Sequence, residues 1–406
     1  MVRHYLDHAS TSPLRPEARA AMAAEMDADP GDPGRVHEEG RAVRARIEEA
    51  RERVAQLVGV RPRQVVFTSG GTEAINAAVF GAARAAPGRP IACAAVEHSA
   101  VRDASSRAAP IVELAVERTG RIDAASVASA LGLRHAARPA LVHCQWANHE
   151  VATIQAVGAI VDMCRAAGVA VHVDACAAVG QLPIDLGTLG ADLVSISAHK
   201  FGGPAGAGAL VVAPGSRFDP LILGGQQERA RRAGFENAPA IAGFGAVAEA
   251  LMEGDRLEQE AAAARGRVAR LLGAALSVDG VSIVGDPDPE GRLAHLVCIG
   301  VAGVEAEPVV IGLDRAGVAV HSGSACSSEG LAPSPVLAAM GVDPERSLRL
   351  SVGWSSSDDD IAAFAAAFPR VVEGLRALRA EHLGRSRPTR ERRPEPVDRP
   401  RRRPGR

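Results

Sequence analysis

Short runs of almost purely apolar residues recur along the chain, at 65–68, 91–95, 111–115, 140–146, 169–173 and 209–212. Between most of them lie stretches whose apolar positions return every three or four residues, at 73–84, 99–108, 123–132 and 155–167. Fully apolar strands alternating with amphipathic helices predict a mostly parallel sheet covered by helices on both faces. Ahead of this block, 15–60 reads as helical, with Ile47, Val54 and Leu57 on the apolar side and a break at the turn-rich DPGDPG of 29–34. Behind it, a Gly/Gln/Arg-rich loop at 224–239 leads into a long helical region at 240–276. Strands at 281–284, 293–301 and 347–352 with helices at 305–316, 333–340 and 358–382 then suit a smaller α+β domain. No internal repeat is visible.

One more apolar run, Leu193, Val194 and Ile196, ends in Ser197, His199 and Lys200 and then a glycine turn. Of 46 basic side chains in 406 residues, Lys200 is the single lysine. Wherever positive charge alone suffices, this chain uses arginine. An ε-amine can shed its proton and attack a carbonyl, which a guanidinium cannot. Lys200 therefore reads as an amine delivered to the C-terminal edge of a buried strand, where open α/β sheets collect ligands, to form an imine with an aldehyde such as pyridoxal phosphate (PLP). The plainer alternative is one surface lysine left by a biased composition.

Other strand ends carry matching chemistry. TSGGTE at 68–73 joins a strand, a glycine turn and a helix start, and so supplies the backbone amides a phosphate needs, with Thr72 adding a hydroxyl. Ser197 and His199 add donors beside it. Asp174 closes VAVHVD and suits either a helix cap or the carboxylate that keeps a pyridine nitrogen protonated. His98 ends CAAVEH, where a satisfied structural histidine and an imidazole stacked on a cofactor ring fit equally well.

Composition narrows the class. A hydrophobic content of 47% and a net charge of −2 belong to a globular protein. No apolar run reaches the roughly 18 residues of a membrane helix, and the start lacks a signal-peptide core, so the expected compartment is the cytoplasm. Six cysteines show no CxxC pair and no zinc-like spacing, so no metal site is expected. Cys93, Cys144, Cys164, Cys176 and Cys298 lie in apolar surroundings and read as buried thiols, while Cys326 sits in a Gly/Ser loop, accessible and free to move. From Arg385 onward, ten arginines against three acids make the tail +7 and leave the remainder at −9. With five prolines and no periodicity this tail is expected to be disordered, either solvated and idle or in contact with RNA, another acidic partner or the chain's own acidic body.

The motifs YLDHASTSP, TSGGTEAIN, VEHSAV, VHVDA, SAHKFGGPAGAGAL, SGSAC and LRLSVGW follow one another in an order and spacing that resemble the cysteine desulfurases of the class V aminotransferase group, PLP enzymes of fold type I. The resemblance runs from the start to the helix before the tail. It implies a large PLP-binding domain at 13–256 around a mostly parallel seven-stranded sheet. It also implies a small α+β domain from 1–12 and 257–383 carrying the cysteine loop, and leaves 384–406 as the tail.

By the same resemblance Lys200 is the Schiff-base lysine, Asp174 the partner of the ring nitrogen, and His98 the ring that stacks on the cofactor and takes up a thiol proton. Gly71, Thr72, Ser197 and His199 would hold the phosphate, and His149 would stand where the family has an asparagine against the ring hydroxyl. Arg349 and Asn148 would bind substrate, with Arg349 gripping its carboxylate, and Cys326 would be the nucleophile that becomes a persulfide. The implied reaction takes sulfur from L-cysteine, releases alanine and passes sulfur to an acceptor protein, a tRNA thiolase or an iron–sulfur scaffold, from a homodimer with no membrane partner.

Three further departures stand beside His149. Ala177 occupies the usual glutamine position, Phe235 that of a threonine reaching the neighbouring subunit, and Asp32 that of an asparagine. His149, Ala177 and Phe235 are the support for a non-catalytic sulfur-relay partner, and a selenocysteine lyase or an aminotransferase is the alternative that keeps PLP and changes the substrate.

Overall fold

The structure is a computed structural model describing residues 2–133, 137–322 and 333–385, with no side-chain description for the last three. Cys326 and the tail from residue 386 onward lie outside the described residues.

The larger sheet has seven strands in the order Val65–Thr68, Gly208–Val212, Leu193–Ser197, Ala170–Asp174, Leu141–Gln145, Ile91–Ala94 and Ile111–Leu114. Only Gly208–Val212 runs antiparallel to its neighbours. The run Leu193–Ser197 is buried at all five positions, as expected for a strand with helices on both faces. The sheet packs in a core that includes Phe67, Val142, Val173, Ile196 and Phe244. Each fully buried side chain of this size contributes about 1.5–3 kcal/mol.

On one flank, helix Glu38–Leu57 buries Val43, Ile47, Ala50, Arg51 and Val54, spacings of three and four that form one face. That face meets helix Ala238–Leu251, whose Gly245 allows the backbone of Ala50 to approach closely. The single long helix expected over 240–276 is two helices, Ala238–Leu251 and Arg256–Leu276. The chain turns between them at Gly254, whose φ of +54° only glycine adopts freely.

A second, antiparallel sheet is ordered His321–Ser322, Ser347–Ser351, Leu296–Val301, Val281–Val284. Its own core gathers Leu6, Leu271, Ile299, Leu348, Phe364 and Phe368. The N-terminal segment belongs with this sheet: His4–Tyr5 pairs in parallel with Val318–Ala319, and Asp7 bridges Ser351. The chain then crosses to the larger sheet, where Ser12 N–H donates to His199 O at 2.9 Å and Arg15 N–H to Gly202 O at 2.9 Å. Residues 7–15 thereby strap the turn that holds Lys200.

Candidate active site

A cavity of 430 Å³ opens where five strands of the larger sheet end. Gly71, Thr72, His98, His149, Asp174, Ser197, His199 and Lys200 all line it, so eight predicted positions, scattered over 130 residues, meet in one place. Gln145, Ala147, Glu73 and Cys176 line it as well and were not predicted. Gln145 had a legible signal, because like Asp174 it is a polar residue closing an apolar strand. Cys176, expected to be a buried thiol, faces the cavity because the chain turns directly after Asp174.

Lys200 lies in a short 3₁₀ turn, Ala198–Phe201, that ends its strand. Nζ donates to Ala9 O at 2.7 Å and to Ser10 O at 3.2 Å. Burial, and next the Arg349 guanidinium, hold the amine below the usual lysine range. More of it is therefore in the neutral, nucleophilic form than for a solvated lysine.

Asp174 is 8% exposed, and its Oδ1 accepts the Cys176 N–H at 3.0 Å. His98 caps helix Ser99–Ala108, its Nδ1 accepting the Ala100 N–H at 3.0 Å. A ring that accepts at Nδ1 carries its proton on Nε2, and burial keeps it neutral. His98 thus presents an N–H, and uptake of a further proton would displace the helix cap. His149 stands beside it, ring centroids 5.0 Å apart at 59°. Burial holds His149 well below the ordinary histidine range, reinforced by His98, Lys200 and Arg349.

The start of helix Gly71–Ala85 also lines the cavity; it has no side-chain cap at Gly70 and so leaves first-turn N–H groups without intrahelical acceptors. A Cβ on Gly71 would lie 2.5 Å from Cys176 Sγ and 3.3 Å from Ser197 Cβ, so a larger residue here must displace the Cys176 thiol. His199 is steadied by Thr11, Nδ1 to Oγ1 at 3.1 Å, and burial and then Lys200 push its pKa down to about 4.

The two predicted substrate residues part company. Arg349 is 2% exposed, and its Nη2 meets Asp7 Oδ1 at 2.8 Å and Ser10 Oγ at 2.5 Å while Nη1 donates to His149 O at 3.1 Å. Its Nε is buried with no hydrogen-bond partner among the described residues. Neither residue is part of the cavity lining, and Asn148 is fully buried. Its amide nitrogen donates to Val96 O and Gln145 Oε1, and its oxygen accepts from Glu150 N and Val151 N. All four hydrogen-bonding positions of the amide are spent on Val96, Gln145 and the loop's own backbone, which leaves none for a substrate.

A buried amine, a carboxylate and a neutral imidazole share one cavity with an amide-rich helix start, a set that suits an aldehyde bearing a phosphate and a basic ring. The family model for aminotransferase class V matches residues 4–364, and the chain belongs to that family. It is 38% identical over 397 residues to a cysteine desulfurase of Cereibacter sphaeroides, covering 93% of this chain and 98% of the relative. It is equally 38% identical over 397 residues to an IscS-like cysteine desulfurase of Mycobacterium tuberculosis, covering 94% and 100%. Among solved structures, a NifS-like protein from Rickettsia africae superposes with a TM-score of 0.83 at 28% identity over 91% of this chain and 99% of the other.

Pyridoxal 5′-phosphate is the family's cofactor, and the residues present fit it. The uncapped helix start and the bare Cα of Gly71 form a cradle that a Cβ would fill, Asp174 offers a carboxylate, and Lys200 is a buried amine. Gly71→Ala is expected to cost about 1–3 kcal/mol of overpacking, roughly 5- to 150-fold in PLP affinity if all of it falls on binding, measured by titrating the apoprotein. Adding Cys176→Ala restores part of the loss.

Proposed function

We propose that this chain is a cysteine desulfurase that moves sulfur from L-cysteine to Cys326 as a persulfide and releases L-alanine. The carrying observation is the only lysine of the sequence, held with a lowered pKa in the cavity that Asp174 and His98 line. Bound PLP supplies an electron sink for the charge left when the α-proton departs.

In this reading Asp174 would hold the ring nitrogen of bound PLP, His98 would cover its ring and His149 would stand by its hydroxyl. Gly71, Thr72, Ser197 and His199 hold the phosphate. Lys200 carries the cofactor at rest, then takes the α-proton and later returns one to carbon. Arg349, with its bidentate fork, takes the substrate carboxylate, which it can do by trading the Asp7 carboxylate for that of the substrate. The Cys326 thiolate attacks the substrate sulfur. His98 Nε2–H orients and donates; it is not assigned as the base.

The same reading divides the chain into a PLP-binding domain at 13–256 and a smaller domain from 1–12 and 257–383, a division supported by the separate core around Leu271 and Phe364. It makes the protein a cytoplasmic homodimer that serves a tRNA thiolase or an iron–sulfur scaffold. No helix among the described residues is long and apolar enough to cross a membrane. Apolar side chains favour the dimer: Met26, 64% exposed, and Phe235, 66% exposed, line one cleft, and Val36 stands 86% exposed on the adjoining loop. Phe235→Asp is expected to shift the sedimenting species from dimer to monomer.

Purified protein given L-cysteine and a thiol reductant is expected to form alanine and sulfide in equal amounts. Output that survives Cys326→Ala unchanged removes Cys326 as nucleophile. Keto-acid-dependent conversion of cysteine to mercaptopyruvate, with the amino group on the added keto acid and no sulfide, favours an aminotransferase instead.

A further inference from the structure

Two carboxyl groups flank Gln145 beneath the cavity. Glu97 Oε1 accepts the Gln145 N–H at 2.8 Å, and Gln145 is the register partner of Asp174 on the next strand. Glu97 is 1% exposed, and its Oε2 has no hydrogen-bond partner among the described residues.

The groups around it come from every neighbouring element. They are His98 next in the chain, Arg102 on helix Ser99–Ala108, Cys93 on Ile91–Ala94, Cys144 on Leu141–Gln145 and Asp174 on Ala170–Asp174. Arg102 is the one cation among them, and it forms no ion pair with Glu97; its own Nε is buried and unpartnered. A carboxylate with an orphaned oxygen and no counter-ion is disfavoured in such a place. Two neighbouring carboxyls resolve this by dividing the roles, one charged and one protonated. Asp174 faces the cavity, whereas Glu97 is sealed behind it, so Asp174 takes the charge and Glu97 the proton.

We propose that Glu97 is a positioning residue of the cofactor site, a neutral carboxylic acid that leaves Asp174 as the charged partner and holds its proton less tightly once the cofactor's ring nitrogen settles against Asp174. This rests on the PLP reading above. Burial, and after it the Asp174 charge, push Glu97 up to about 8. A ring cation offsets the Asp174 charge and so lowers Glu97 from that value. The bound form then holds fewer protons than the free form, and PLP affinity rises with pH up to about 8 and levels off above it.

The test compares full-length apoprotein with Glu97→Gln, which keeps the shape and the acceptor for Gln145 N–H but has no proton to lose. PLP is titrated calorimetrically across this pH range in buffers of different ionisation enthalpy. The wild type is expected to release more protons than the variant just below pH 8, and to gain about tenfold more affinity for each unit by which Glu97 falls. Infrared spectra provide a check that needs no variant: the protonated-carboxyl band of the wild-type apoprotein should weaken as PLP is added. Equal proton counts with parallel affinity profiles, or a band that PLP leaves unchanged, overturn the assignment of Glu97. Failure of the wild type to take up PLP at all overturns the cofactor site instead.

Discussion

Lys200→Arg lowers alanine production from L-cysteine by about 10²–10⁴-fold or more and leaves the apoprotein folded. The substitution keeps the charge, and a guanidinium can still donate to the carbonyls of Ala9 and Ser10 that now hold Nζ. What it removes is an amine able to bond carbon and to accept a proton near neutral pH. Elsewhere the chain uses arginine for every basic side chain, so this is the one position where the exchange is chemically severe. The check is a rate measurement at saturating PLP beside a thermal melt. A variant within tenfold of wild type would show that Lys200 serves only as a charge.

Glu228→Ala is the second large effect, expected to cost about 3–5 kcal/mol. Glu228 and Arg51 form a bidentate pair, 2.6 and 2.8 Å, with both side chains 1% exposed. Glu228 also accepts the Phe67 N–H at 2.8 Å, and the Arg51 guanidinium lies over the Phe67 ring. Removing the carboxylate leaves a cation buried with the Val65 carbonyl and the more exposed Glu48 as its remaining partners. The same carboxylate anchors a turn in which Glu228, Arg229 and Ala230 all have φ between 48° and 60°. Its loss therefore also loosens the loop that carries Phe235 toward the proposed dimer contact. Urea denaturation measures the cost, and replacing both partners with apolar residues is expected to recover part of it. A cost below about 1 kcal/mol would place this pair with ordinary surface ion pairs.

Most of the larger sheet was legible because its strands are continuous apolar runs closed by a polar residue. Val65–Thr68 and the ends at Gln145, Asp174 and Ser197 follow from that pattern alone. The strands His4–Tyr5, Val318–Ala319 and His321–Ser322 were not, since two residues carry no period and their pairing is set by what lies beside them. Asn148 and His149 show a finer limit. Both are polar loop residues next to each other, and hydrogen bonds within the loop and to the distant Val96 carbonyl decide that Asn148 turns inward while His149 lines the cavity. Arg51 reads as one more charged residue in a charge-rich helix, and its burial depends on Glu228, 177 positions away. Glu97 is hidden for a similar reason: its isolation is a property of four surrounding elements and leaves no mark on the local sequence.

The most direct test uses the fact that the only amines are Lys200 and the chain's N-terminus. Full-length protein saturated with PLP is reduced with borohydride, digested and read by mass spectrometry. One phosphopyridoxyl group fixed on Lys200, absent when L-cysteine is added before reduction, is the predicted result. An unmodified Lys200, or label confined to the N-terminus, would contradict it.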